Sequence, residues 1–114
     1  MLMNMARNPK DAFALIHEAL DHATIVHVFG ELDLSSANEL EVAIAAADAS
    51  GKGIVIDLEP CTYIDSSILA VLIRAFKKHS SRLSIVLAPT GTVTRLFELT
   101  SLKQVLPIVP SLLE

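Results

Sequence analysis

Aromatic residues are scarce in this chain: four Phe and one Tyr, with no Trp, make up 4% of its 114 residues. A core must therefore be built from Val, Ile, Leu and Ala, and a hydrophobic content of 52% supplies them. Cysteine is nearly absent as well. The single Cys61 excludes an internal disulfide and a multi-cysteine zinc site, and fits a reducing compartment. Basic residues are few and unclustered: nine Lys and Arg against thirteen Asp and Glu give a formal charge of −4. Without a basic block there is no electrostatic footprint for nucleic acid or for an anionic membrane. No uninterrupted apolar stretch is longer than Ile68 to Ile73, far short of the roughly 20 residues that span a bilayer. The first ten residues lack the apolar run of a signal peptide, so a cytoplasmic location without membrane insertion is expected.

What is present is enough for one domain that buries about two-thirds of its unfolded surface. Residues 1–10 read as a flexible N-terminus and 11–114 as a single domain. Ala12 to Ala19 and Thr24 to Gly30 are β-prone runs joined by a hairpin turn at Leu20-Asp21-His22-Ala23. Ser36-Ala37-Asn38-Glu39 has the spacing of a capping box, and Leu40, Ala43, Ile44 and Ala47 follow at helical intervals. Ser50-Gly51-Lys52-Gly53 stops that helix. Ile54 to Leu58, apolar except for Asp57, suits a central strand with helices on both faces. A tight loop, a helix to about Ser80 and a buried strand over Arg82 to Ala88 come next. Thr92 to Leu99 then reads as a short helix with Val93, Leu96 and Phe97 on its apolar side. Val105 to Val109, bracketed by Pro107 and Pro110, belongs at a sheet edge. This alternation predicts a mixed sheet flanked by helices.

The most informative stretch is Ile54 to Leu72, a buried strand and a tight loop that run into a helix whose first turn carries Asp65-Ser66-Ser67. Hydroxyls there sit among free backbone N–H groups at the positive end of the helix dipole. Asp65 can act as a plain N-cap, and that role is compatible with any other. At about 100° per residue, Ser67, Arg74 and Lys78 share one arc with Val71 beside it. Leu69, Leu72, Phe76 and His79 take the opposite side and are expected to face the sheet, and Ile68 also turns inward. The wheel makes Ser67 the better exposed hydroxyl, with Ser66 near the boundary. Ala70 and Val71 would add an apolar contact for a partner, and Arg74 would lie on the same surface.

Catalysis finds no support. No Gly-x-Ser-x-Gly surrounds Ser66 or Ser67, and no His is placed by sequence to act as their base. His17, His22, His27 and His79 have no metal-ligand spacing, and Gly51-Lys52-Gly53 lacks the following Ser or Thr of a phosphate loop. Cys61 has no cationic neighbour in sequence and reads as a small loop or core residue. Neither an enzyme nor a cofactor is expected.

Two motifs resemble the STAS domain, the fold shared by bacterial anti-sigma factor antagonists and the tails of sulfate transporters. Gly30-Glu31-Leu32-Asp33-Leu34 is similar to the family's Gly-Glu-Leu-Asp signature. Ile56-Asp57-Leu58 followed by Tyr63-Ile64-Asp65-Ser66-Ser67 is similar to its strand and Asp-Ser-Ser phosphorylation loop. The likeness runs from about Ala12 to Leu113. It implies an α/β fold with a mixed sheet of four to five strands flanked by about four helices. For the antagonist branch it implies partner switching. An anti-sigma factor that is also a serine kinase binds the unphosphorylated form and phosphorylates a serine at the position of Ser67, and a serine phosphatase resets the cycle. Asp33 and Asp65 match acidic positions flanking that serine. A phosphate adds about −1.5 to −2 charge, which would be crowded beside them. The chain departs from the family at Ile68, where Gly is usual. A constitutive scaffold or accessory subunit, in a stress-sensing assembly or a lipid transporter, is the alternative the same fold allows.

Overall fold

The two β-prone runs pair as an antiparallel hairpin in the computed structural model, which describes residues 5–6 and 13–110. β2 (Phe13–Ala19) and β3 (Ala23–Leu32) run in register from Ala19↔Thr24 to Phe13↔Gly30. Leu20 N–H donates to the Ala23 carbonyl at 2.8 Å and closes the turn. Ahead of them, β1 (Met5–Ala6) pairs antiparallel with β2. The rest of the N-terminus expected to be flexible lies outside the described residues.

β3 is long enough to take two parallel neighbours in succession. Ala23 to His27 pair with β4 (Gly53–Asp57), and Gly30 to Leu32 pair with β5 (Cys61–Ile64). The register slips between Gly30 and Glu31, and Gly30 takes φ 83°, a left-handed conformation that glycine adopts without a Cβ clash. β6 (Leu83–Val86) pairs parallel with β4, and β7 (Ile108–Val109) pairs parallel with β6 at the sheet edge, where the flanking prolines predict it. The sheet is mixed, as expected. Among the described residues, its five strands of four or more residues match the expected number, and the two-residue β1 and β7 add to them.

Among the described residues, helices α1 (Ala37–Asp48), α2 (Ser66–His79) and α3 (Thr92–Leu99), with three short 3₁₀ turns, take the place of the four helices expected. α1 buries Leu40, Ala43, Ile44 and Ala47, the positions its periodicity marked. α2 buries Ile68, Leu69, Val71, Leu72 and Ala75, and α3 buries Val93 and Phe97. These side chains share one cluster with Leu15, Val26, Val28, Ile54, Ile56, Leu83 and Ile85 from one face of the sheet, so the three helices gather on one face of β4 and not on the two expected. Phe97 is the aromatic residue wholly enclosed in that aliphatic core.

The capping box expected at Ser36 and Glu39 is not formed: Ser36 makes no side-chain cap for α1. Its hydroxyl instead accepts from the Asp33 N–H at 2.9 Å, inside the 3₁₀ turn over Leu34–Ser36 that precedes the helix. The stretch read as a loop before Asp65 also contains a strand, β5.

Candidate functional site

Leu32 and Ile64 are register partners, so the next residue on each strand, Asp33 and Asp65, leaves the sheet beside its counterpart. Both have extended backbones, with φ −142° and −111°, and each caps the turn that follows. Asp33 Oδ1 accepts from Ser35 N–H at 2.9 Å and Ser35 Oγ at 2.6 Å. Asp65 Oδ1 accepts from Ser67 N–H at 3.0 Å, from Ile68 N–H at 3.2 Å and from the Ser67 hydroxyl. The two motifs are thus one motif repeated: an aspartate capping a turn and holding the serine two residues on. A cross-link joins them, because Asp65 Oδ2 accepts from Leu34 N–H at 3.1 Å. The hydroxyl of Ser67 foremost, then the N–H groups of Ile68, Ser67 and Leu34, hold the Asp65 carboxyl below its usual range despite its partial desolvation.

Between each aspartate and its serine lies one outward residue, Leu34 in the first repeat and Ser66 in the second. Leu34 is 75% exposed, and Ser66 is exposed as well. This reverses the order given by the helical wheel. Ser67 is half-buried with its hydroxyl committed to Asp65, and Ser66 carries the open hydroxyl. The outward arc of α2 is centred nearer Ser66 and Lys77, because Val71, on the other side of Ser67, packs into the core.

Val71 also departs from its expected place. It is 2% exposed and cannot add an open apolar contact. The wheel assigned α2 one buried side, but α2 packs against both the sheet and α1, and Val71 lies in the shared core. Ala70 is half-buried, and Arg74 is exposed with its guanidinium 3.3 Å from Glu41 of α1. Ile68 is fully buried, so the departure from the family's Gly adds a core side chain and leaves the surface around Ser66 unobstructed by it. Cys61 is buried too, which pushes its thiol up to about 11 and makes it the inert core residue expected.

Apolar surface flanks the two caps. Leu34 is exposed within the first, and exposed Tyr63, two residues before Asp65, borders with Leu99 a shallow recess of about 280 Å³, with Ile64, Val93 and Leu96 in its wall and Arg95 at its edge. The arrangement can dock a protein surface and can present one hydroxyl at a helix N-terminus.

Comparison with known proteins agrees with the geometry. A family model described as "Mlab, STAS domain" matches residues 17–110. The chain belongs to the STAS domain family. Among solved structures, this STAS domain is similar to an anti-sigma factor antagonist from Mycobacterium paratuberculosis. The two are 29% identical with a TM-score of 0.78, and the match covers 94% of this chain and 92% of that one. It is also similar in fold to the anti-sigma factor antagonist SpoIIAA in its unphosphorylated form, at 21% identity, TM-score 0.65 and 88% coverage of each chain. The Bacillus cell fate determinant SpoIIAA in the phosphorylated form matches at 19% identity and TM-score 0.59, over 85% of this STAS domain and 90% of that chain. No curated protein matches the chain in sequence.

Proposed function

We propose that this STAS domain is an anti-sigma factor antagonist. Its docking surface is the paired Asp33 and Asp65 caps, and phosphorylation on the Asp65-Ser66-Ser67 turn switches it off. The partner is an anti-sigma factor with serine kinase activity, and a serine phosphatase restores the binding form. The observation that carries this reading is the open Ser66 hydroxyl at the start of α2, one residue from the carboxylate that ties both caps together. The 29% identical antagonist supports the same class.

The acceptor in this reading is Ser66 in preference to Ser67, whose hydroxyl would first have to leave Asp65. A phosphate on Ser66 would sit near the N–H end of α2, so the helix tolerates it. It would also place about −1.5 to −2 charge beside Asp65 and close to Asp33, repelling a partner shaped for a neutral hydroxyl. The domain itself is not an enzyme in this scheme: the serines receive chemistry performed by the partner. Asp33, Asp65, Ser66 and Arg74 contribute to the polar part of the docking surface, with Ala70 at its margin.

Phosphopeptide mapping of the protein from its native cells, in growth and under stress, tests the proposal. Condition-dependent occupancy of Ser66 supports it. Absence of phosphate in every condition leaves the second reading, a constitutive docking subunit, which the exposed Leu34, Tyr63 and Leu99 around the caps favour.

A further inference from the structure

On the sheet face turned away from the shared core, His27 of β3 lies between two carboxylates supplied by the neighbouring strands. Its Nδ1 is 2.8 Å from Asp57 Oδ2, and its Nε2 is 2.7 Å from Glu18 Oε1. Register explains the placement: His27 is paired directly with Asp57 of β4, and Glu18 of β2 lies diagonally across from it. The imidazole is 18% exposed and the Asp57 side chain 5%, whereas Glu18 is more open at 38%. Glu59, whose N–H donates to Asp57 Oδ1 at 3.0 Å, brings a third carboxylate towards the group. Phe29, next along the same face of β3, adds an uncharged ring with its centroid 6.5 Å away. Among the described residues no Lys or Arg forms an ion pair with Glu18, Asp57 or Glu59.

A neutral imidazole has one N–H and one bare lone pair. It can donate to one carboxylate only, and would turn its lone pair on the oxygen of the other at hydrogen-bond distance. Both bonds form together when the ring carries two protons. We propose that His27 is a resident imidazolium at neutral pH, a cation shared by Glu18 and Asp57, and that its proton clamps β2, β3 and β4 together across the outer face of the sheet. Because Asp57 also fixes the turn that leads into β5, the clamp braces the strand that delivers Asp65. This inference does not depend on the proposed partner or on phosphorylation.

Burial alone would push the ring down, but the bonds to Glu18 and Asp57, with the charges of both, outweigh it and hold the ring above its ordinary 6.5. A group that binds its proton more tightly folded than unfolded adds stability that is complete below the unfolded value. That stability is lost as pH rises through the folded one. Release of the proton leaves the enclosed Asp57 carboxylate without its cation, so the clamp opens on the alkaline side.

The test is a nitrogen-resolved NMR titration of the histidine rings in the intact protein from about pH 5 to 9, on wild type and on Glu18→Gln. Glu18 is the more open partner, so its amide variant is expected to fold. Two protonated nitrogens on His27 at neutral pH, with a midpoint above 6.5 that moves down in Glu18→Gln, are the expected result. A His27 ring with a single proton at neutral pH, or a midpoint indifferent to Glu18→Gln, overturns the proposal. Thermal melting supplies a second readout: the wild-type midpoint falls with rising pH over this range, and the fall is shallower in Glu18→Gln. Equal slopes for the two proteins would also overturn it.

Discussion

Asp65 reaches across the two strand ends to Leu34: its Oδ2 accepts the Leu34 N–H at 3.1 Å while its Oδ1 caps α2. One carboxylate therefore fixes the start of a helix and the loop after a different strand. Removing it should loosen both. Asp65→Ala is expected to cost about 1–2 kcal/mol, the upper part of the range for a helix cap, because the cross-link is lost with it. Asp65→Asn, which keeps an acceptor, should cost less. Urea unfolding of the three proteins measures the order, and an alanine variant as stable as wild type would mean that neither bond matters.

Acid should expose the same residue. The Ser67 hydroxyl and the three backbone N–H groups favour the ionised Asp65, so its folded pKa lies below the reference value of 3.8. A depressed carboxyl contributes stability that is present above the unfolded value and lost as pH falls through the folded one. Wild type is thus expected to lose stability below about pH 4 more steeply than Asp65→Asn. Parallel melting curves against pH for the two would argue against this ionisation.

Ile68 stands where the family has Gly, and its burial makes the reverse substitution costly. Ile68→Gly empties a fully enclosed site in the first turn of α2. A large-to-small change in a core costs about 2–5 kcal/mol, and glycine within a helix adds about 1 more. Calorimetry should show a large drop in melting temperature. A shift of only a degree or two would show that the surroundings close over the gap.

Much of this architecture is legible from spacing. Leu40, Ala43, Ile44 and Ala47 recur at the helical period and all are buried, and Thr92 to Leu99 forms the helix its pattern marks. β5 was not legible, for a physical reason. Over Cys61–Ile64 the burial runs inside, outside, outside, inside, which is not a strand period, and the strand exists because β3 continues past Gly30 and offers it an edge. The helical period of α2 alone sets Val71 outward, because its burial depends on α1, a neighbour that no periodicity within α2 reveals. The spacing of Ser36 and Glu39 suits a capping box, but Asp33 engages the Ser36 hydroxyl first. The pairing of the two caps does have a signal in the sequence: Asp33-Leu34-Ser35 and Asp65-Ser66-Ser67 are both Asp-x-Ser, each directly after a strand.

That repeat separates the roles of the two serines. Ser66 is exposed, like Leu34 at the equivalent place, and Ser67 is the partner of the cap, like Ser35. Ser66→Ala should leave stability within about 0.5 kcal/mol of wild type, as surface substitutions do. Ser67→Ala removes the hydroxyl bond to Asp65 and should cost about 0.5–1.5 kcal/mol. Regulation should divide the other way. If the turn is phosphorylated in the native cells, phosphate should disappear from Ser66→Ala and persist in Ser67→Ala, as read by intact mass. Phosphate retained in Ser66→Ala and lost from Ser67→Ala would move the acceptor to Ser67. The Asp65–Ser67 bond would then have to open before each transfer, making that bond, rather than the exposed surface, the point at which a kinase acts.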